Sequence, residues 1–484
     1  MKRKPLSKAL LLTLSFIIVC AVILTACSKE NKVPPVEYSS GLEYKLNNVS
    51  KTCSVVGIGT CLNEKINIPP THEDYTVTGI ESEAFSGCKD IKSVSIPEGV
   101  TSIGASAFEG CSSIESIDLP STLSSIGNVA FRDCKSLTGI SIPEGIKLVG
   151  NFTFAGCSSL TSAPLPSSIL TIGKSAFNGC VLLENINIPA GVTVVDSEAF
   201  SGCANLTEVS IPSSTKSIGD KAFYSCVKLE KAALSNGLSS IGKDAFAGCV
   251  ALKSINIPSS VEKIGFEAFS ACIGVKELTV EEGNSVYYSK NNCLIKKESQ
   301  HLIVGFNTNT IPSEVKSIDT YAFTASTAIT NLVIPEGVTT IGKGAFAYCT
   351  ALTSVVIPES IKYIEENVFY GCTSLTSITL PSTLKKLSDN LFAGCTKLTS
   401  VDIPSGVQVL GSSVFYACTS LTNVNLPKSI TNIYNNAFGG CSSLTTINYE
   451  GTRAEWVDLP KGNIWDENTG DVIIHCSNLS VGKD

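Results

Sequence analysis

The residues of this chain that could do chemistry are mainly thiols, because its 484 residues include 20 cysteines and only three histidines. Cysteines can form disulfides in an exported protein, hold a metal ion, or act as nucleophiles beside a base. The sequence has no Cys-x-x-Cys pair, and His72, His301 and His475 are far apart. The spacing that metal binding and nucleophilic catalysis need is therefore missing, and we predict no metal, no cofactor and no enzyme activity.

Most of the cysteines occupy one column of a sequence repeat. Nine follow one another at intervals of 23 residues from Cys88 to Cys272, and five more do so from Cys349 to Cys441. Ser326 replaces the cysteine in one further copy, and a phenylalanine precedes each of these positions by three residues. A fixed period of this length indicates stacked repeats, so we count 15 units in one solenoid.

This regular setting favours a packing role for the thiols. A free cysteine behaves as a small buried hydrophobic residue, and here each one stands beside a core phenylalanine. Bonding between neighbouring units is the alternative. Cys53 and Cys61 differ, because they flank the sequence SVVGIG, whose glycines suit a hairpin turn. We mark these two as candidates for a cross-strand disulfide.

One unit predicts two extended segments and two turns. In residues 372–392, Ile378 and Leu380 alternate with polar residues as in a strand, and Pro381, which lacks an N–H group, ends it. Leu384 and Leu387 mark a second extended segment, which leads to the corner at AFAGC. We predict a β-rich solenoid of short parallel strands with brief helical or 3-10 corners.

The recurring pattern AFxGCxxLxxIxIPxxVxxIG resembles the BspA-like leucine-rich repeats of bacterial surface proteins, over roughly residues 62–476. Two irregular segments are also similar to that family: residues 280–306, which read as a β-hairpin insertion, and residues 447–459, which resemble its terminal unit. The resemblance implies a right-handed leucine-rich repeat solenoid. It also implies adhesion, because members are exposed proteins, several of which bind host matrix proteins or other cells.

The N-terminus has the pattern of an export signal. Basic residues come first, and an apolar run follows from Ala9 to Ala26. The next residue completes Leu-Thr-Ala-Cys, which resembles the bacterial lipobox and implies that Cys27 is lipidated. An uncleaved membrane helix is the alternative, and both interpretations attach the protein to a membrane and place its body outside.

These features divide the chain into seven segments. They are a signal peptide (1–26), a lipid attachment site and tether (27–41), an N-terminal cap with an irregular first repeat (42–84), repeats 1–9 (85–280), a β-hairpin insertion (281–312), repeats 10–15 (313–446) and a C-terminal cap (447–484).

The predicted strand face carries small polar side chains and almost no aromatic ones. Such residues either hydrogen-bond from row to row or form a broad, weak surface whose many copies on a cell supply avidity. Binding anchors are usually aromatic, and the candidates lie elsewhere. They are Tyr287 and Tyr288 in the insertion and Tyr348, Tyr370 and Tyr416 in the corner turns.

A net charge of −7 argues against nucleic acid as a partner. We predict a lipid-anchored protein of the bacterial cell surface that binds proteins or other cell-surface ligands, an adhesin for host matrix proteins or other cells. Two alternatives stay open. One is an envelope scaffold that contacts cell wall or its own copies, and the other is a glycan-binding module.

Overall fold

A computed structural model describes residues 36–478 and 480–481. Residues 39–484 form one compact unit and residues 1–38 a second one, of which only the irregular residues 36–38 are described. The predicted signal peptide and Cys27 lie outside the described residues. Within the described residues, no helix has the length and apolar character of a membrane span.

Most coils of the larger unit contribute to two rows of short strands. The first row follows the cysteine column and comprises Lys65–Asn67, Ser93–Ser95, Ser116–Asp118, Glu208–Ser210, Lys231–Ala233, Ser254–Ile257, Glu277–Val280, Asn331–Val333, Ser354–Val356, Ser377–Thr379, Ser400–Asp402, Asn423–Leu426, Thr446–Tyr449 and Ile473–Cys476. The second row precedes the corner and comprises Tyr75–Ile80, Ser102–Ile103, Ser125–Ile126, Leu148–Val149, Thr171–Ile172, Val194–Val195, Ser217–Ile218, Ser240–Ile241, Lys263–Ile264, His301–Gly305, Ser317–Ile318, Thr340–Ile341, Tyr363–Ile364, Lys386–Leu387, Val409–Leu410 and Asn432–Ile433.

Strands of neighbouring coils pair in parallel, and residues 23 apart in sequence face each other, as Ser93 and Ser116 do. The predicted β-solenoid is therefore confirmed, with further coils at both ends beyond the 15 units. Between residues 118 and 208 the first row is reduced to isolated bridges. Pro164 lies in this stretch, and because it has no N–H group it cannot complete the ladder.

The core is a stack of repeat positions. Phenylalanine rings of successive coils lie face to face with centroids 5.1 Å apart for Phe85 and Phe108 and 5.8 Å apart for Phe346 and Phe369. Apart from Cys88, each cysteine of the column donates its thiol hydrogen to the phenylalanine carbonyl of the previous coil, as Cys134 does to Phe108 at 3.2 Å. The cysteines in the described residues are all free thiols. The packing role predicted for the column is confirmed.

The corner, predicted as brief helical or 3-10, is a run of tight turns. The N–H of Cys111 donates to the carbonyl of Phe108 three residues earlier, at 3.2 Å. Ser106 (φ 54°) and Gly110 (φ 72°) are both left-handed, and these positions on either side of the phenylalanine interrupt each turn before a helix can grow. The corner amides also donate forward, as Phe108 does to Ala130 at 2.8 Å, which ties each coil to the next.

The insertion builds an antiparallel meander into the solenoid. Tyr287–Lys290 pairs with Cys293–Lys296, which pairs with His301–Gly305. The last of these strands then pairs in parallel with Ser317–Ile318 and so rejoins the second row. Side chains of the middle strand alternate between two core clusters, with Leu294 on the N-terminal side and Ile295 on the C-terminal side.

Other elements close the two ends. Glu43–Asn47 pairs antiparallel with Thr52–Gly57, and Thr71–His72 pairs with the strand that follows it. At the C-terminal end the helix Arg453–Asp458 begins at a capping box, and Ser480–Val481 pairs antiparallel with the last strand of the first row.

Candidate binding surface

Many polar side chains of the strand face form hydrogen bonds with the neighbouring coil. Thr376 donates its hydroxyl to the carbonyl of Thr353 at 3.2 Å, and Asn448 donates its amide to Asn425 at 2.8 Å. The same threonine bond repeats in both halves of the solenoid. Hydrogen bonding between successive coils, one of the two interpretations of this face, is confirmed, and these side chains stabilise the stack.

The two tyrosines predicted in the insertion hold the meander against the solenoid. Tyr287 is buried at 5 % exposure, and its hydroxyl accepts the N–H of Ile264 at 3.0 Å. The Tyr288 hydroxyl donates to Gln300 at 2.8 Å. Burial, followed by the nearby Glu314 carboxylate, raises the pKa of Tyr288 to about 12. The structure thus places Tyr287 in the core and Tyr288 in a polar network.

The corner tyrosines are arranged differently. Tyr348 is 54 % exposed, and its ring meets that of Tyr370 edge to face, with centroids 5.2 Å apart. Burial raises the pKa of Tyr348, and the phenols of Tyr370 and Tyr321 raise it further. The Tyr321 ring lies against Gly344, four residues before Tyr348. We call Tyr321, Tyr348 and Tyr370 the tyrosine corner. Tyr416, 48 % exposed, occupies the same column as Tyr370 two coils further along.

Glycines of the next coil hold the rings of Tyr321, Tyr348 and Tyr416 in place. A Cβ atom on Gly371 would lie 2.9 Å from the Tyr348 ring, and one on Gly344 would overlap the Tyr321 ring. Tyr416 lies over Gly439 in the same way, with 3.1 Å to such an atom. Each ring therefore rests on the backbone of the following coil, which holds it in place before any ligand arrives.

Tyr348 is held in a costly backbone conformation. Its φ is 61°, in the left-handed region, at a column where most other copies carry glycine. A side chain other than glycine costs roughly 1–2 kcal/mol there. Strain that supports a half-exposed aromatic side chain, rather than core packing, points to a functional position.

One ammonium group and two carboxylates lie beside the tyrosine corner. Lys343 forms an ion pair with Glu366 at 2.9 Å, and its N–H donates to Glu365 at 2.9 Å. The hydrogen bond to Glu366 raises the pKa of Lys343, and the Tyr321 phenol contributes, so this ion pair borders the tyrosine corner.

Serine, histidine and aspartate meet where the insertion rejoins the solenoid, which sequence reasoning missed. His301 Nδ1 lies 2.5 Å from Ser317 Oγ, and its Nε2 lies 3.3 Å from Asp319. Such a trio resembles a nucleophilic site, which also needs backbone donors for an oxyanion. The amides of Lys316 and Asp319 are committed to carbonyls of the meander. Those two amides are therefore not free to serve as oxyanion donors, and the trio joins the meander to the next coil.

The structure corrects the hairpin expected between Cys53 and Cys61. The sequence SVVGIG begins inside the strand Thr52–Gly57, which pairs with residues before it, so that Cys53 faces Leu46. The two cysteines do not face each other across strands, and both are buried free thiols. Within the described residues, no group of three or more histidine, cysteine or acidic side chains could hold a metal ion.

Comparisons with known proteins agree on one family. The profile of the BspA type leucine rich repeat region, in six copies, matches residues 60–184, 171–299, 303–390 and 339–456. A leucine rich cell surface protein from Faecalibacterium prausnitzii A2-165 is 28 % identical, with a TM-score of 0.52 over 88 % of this chain and 98 % of that one. The pneumococcal vaccine antigen PcpA shares the fold, with 21 % identity and a TM-score of 0.50 over 93 % of this chain and 100 % of that one. A search of curated proteins found no match.

Proposed function

The chain belongs to the BspA-type leucine-rich repeat family, and from that premise we propose that it is a bacterial cell-surface adhesin for host matrix proteins or other cells. Solenoids of this kind are binding scaffolds, because stacked repeats present long continuous surfaces. The Faecalibacterium relative is described as a cell surface protein, which supports the same location here.

One observation carries the proposal, namely the exposed and rigid tyrosine corner. Tyrosine is enriched at binding hot spots because it offers a large amphipathic surface at little entropic cost. Tyr348 keeps this surface in solvent at the expense of a left-handed backbone. Most other copies carry glycine in this column, and the exceptions are all smaller than tyrosine, namely Asp133, Ser225, Ala271, Ala325 and Ala417.

The test is binding of the purified full chain to immobilised fibronectin, fibrinogen, collagen, mucin and bacterial cell wall. We expect saturable binding to at least one host protein, and stronger binding when the chain is clustered, because clustering supplies avidity. Binding to cell wall alone would instead favour an envelope scaffold. Binding to none of these ligands, nor to intact host cells, would overturn the proposal.

We also propose that Cys27 carries the lipid that anchors the protein. The support is the Leu-Thr-Ala-Cys sequence at the end of the apolar run. Expressed in a bacterium, the full chain should sediment with membranes, and the Cys27→Ala variant should lose the lipid mass from its N-terminal peptide. An unchanged peptide mass and membrane yield in the variant would contradict lipid attachment at Cys27.

A further inference from the structure

We propose that the tyrosine corner binds a neutral glycan chain; this inference rests on the proposed function and names the ligand class of its site. The first argument is shape. The rings of Tyr321 and Tyr348 rest on glycines of the next coil, so part of each ring is supported by backbone and part of Tyr348 faces solvent. A sugar ring has an apolar C–H face that matches a supported aromatic ring, with hydroxyls around its rim.

The second argument is hydrogen bonding. The rings of Tyr348 and Tyr370 meet edge to face, and the Tyr321 ring lies against Gly344, four residues before Tyr348. Each phenol hydroxyl can both donate and accept. Asn367 and Asn390 stand in the column of Tyr321 two and three coils further along, after Gly344, and carry amides that also do both. Sugar hydroxyls have the same dual character, so groups of this type suit a polyol.

The third argument is charge. Lys343 and Glu366 neutralise each other beside the tyrosines, at 2.9 Å. Glu365, which accepts the backbone N–H of Lys343 at 2.9 Å, adds a second carboxylate, so an acidic glycan finds no excess of cations here. The charges therefore favour an uncharged chain over an acidic one.

The repeat position directly after the cysteine, which we call the flanking column, favours a glycan over a protein partner. Next to the tyrosine corner it carries threonines, where Thr396 donates to the carbonyl of Thr373 at 3.3 Å. From Val181 to Ile273 the same column is apolar, with Val227 40 % and Ile273 38 % accessible. Protein interfaces surround their anchors with an apolar core. The hydroxyl-rich surroundings of the tyrosine corner suit a sugar better.

The experiment is calorimetric titration of the full chain with oligomers of β-1,4-linked N-acetylglucosamine, cello-oligosaccharides and mannan. Heparin serves as the acidic comparison and a proline-rich collagen peptide as the protein one. The decisive variant is Tyr348→Gly, because it removes the ring and restores the residue that this column carries in most copies. We expect an unchanged or raised Tm together with a loss of affinity of about tenfold or more for the neutral glycan.

Tyr224→Ala is the matched control, because Tyr224 occupies the same corner column as Tyr370, far from the tyrosine corner, and is 40 % exposed. Its substitution should leave glycan affinity unchanged. Stronger binding of heparin, or equal glycan loss in both variants, would overturn the inference. If no glycan binds while a host protein or the collagen peptide binds and Tyr348→Gly abolishes that binding, the glycan inference fails and the adhesin proposal stands. Failure of every ligand, including the host proteins, would remove both.

Discussion

Ser326 is the serine that replaces cysteine in the repeat column, and it is buried at 5 % exposure. Among the described residues its hydroxyl has no hydrogen-bond partner. In regular coils the column residue donates to a phenylalanine carbonyl 26 residues earlier, as Cys226 does to Phe200 at 3.2 Å. Because the insertion precedes Ser326, the residue 26 positions earlier is Gln300. The lost partner leaves a polar group in the core.

We predict that Ser326→Cys stabilises the protein by about 1 kcal/mol, because a thiol is less costly to bury than an unpaired hydroxyl. Urea denaturation at constant pH measures the change. The control is Cys226→Ser, where the new hydroxyl can donate to Phe200, so its cost of burial is largely offset. A destabilised Ser326→Cys variant would show that the hydroxyl is satisfied in solution.

Burial makes the cysteine column unreactive. It raises the pKa of Cys180, Cys203 and Cys272 well above the usual value, and the neighbouring cysteine raises each further. Because the thiolate is the reactive form, we expect alkylation of the native protein at pH 8 to modify chiefly the partly exposed Cys88 and Cys476 among the described cysteines. Peptide mapping by mass spectrometry locates the label. Rapid labelling of Cys203 without denaturant would contradict the buried column.

At the scale of elements, acidic side chains link the turns between the two rows. Glu144, in a Pro-Glu-Gly turn, accepts the N–H of Ser167 at 3.1 Å, one coil further on. Glu98 and Ser121 repeat the bond at 2.9 Å, and Glu359 and Ser382 at 3.1 Å. The backbone hydrogen bond from Ser167 is the largest cause that lowers the pKa of Glu144.

The lowered pKa sets the direction of the pH dependence. The folded state favours ionised Glu144, so its contribution is present above the usual value of 4.5 and is lost as pH falls through the lower folded value. We predict that Glu144→Gln has a lower Tm than the parent at neutral pH. Between neutral pH and about pH 3, the Tm of the variant should fall less than the Tm of the parent. Thermal scans across this range measure the difference, with exposed Glu115→Gln as the control. Parallel curves for parent and Glu144→Gln would contradict the linkage.

The sequence predicted strands better than corners. Alternation at Ile378 and Leu380, ended by Pro381, marks a strand by residue type alone. The corner needs a left-handed residue two before each phenylalanine, yet that position holds valine at Val129 (φ 65°). Valine disfavours the left-handed conformation, so the residue type does not predict it. Only the hydrogen bonds to adjacent coils hold the backbone in this conformation.

The same limit applies to the candidate site. Tyr348 was predictable because it interrupts a column made mostly of glycine, and Tyr370 because it is a tyrosine that recurs in its column at Tyr224 and Tyr416. Tyr321 was missed because it precedes its phenylalanine by two positions and meets Tyr348, 27 residues later, only through the stacking of neighbouring coils. The support that Gly344 and Gly371 give to the rings likewise depends on coil register.

At the scale of the whole solenoid unit, residues 39–484, the insertion divides the core. Phe85 to Phe269 belong to one cluster of buried residues and Phe323 to Phe438 to the other. Both ladders are continuous within their cluster, with 5.6 Å between the rings of Phe246 and Phe269. In a repeat protein each coil is stabilised mainly by its neighbours, so damage spreads along a ladder.

We therefore predict that a core defect remains within its cluster. Phe108→Ala should cost about 3–5 kcal/mol, because it removes a fully buried ring that is stacked between Phe85 and Phe131. Hydrogen exchange of the native protein, resolved by peptide, should then accelerate in the coils before the insertion and stay near the parental rate in residues 313–446. Phe415→Ala, equally buried in the other cluster, should give the reverse pattern. Two meander strands oppose this outcome in the described structure. Leu294 and Ile295 of Cys293–Lys296 pack on different clusters, and so do Val304 and Leu302 of His301–Gly305. Equal acceleration on both sides in either variant would mean that these strands couple the two ladders into a single cooperative unit.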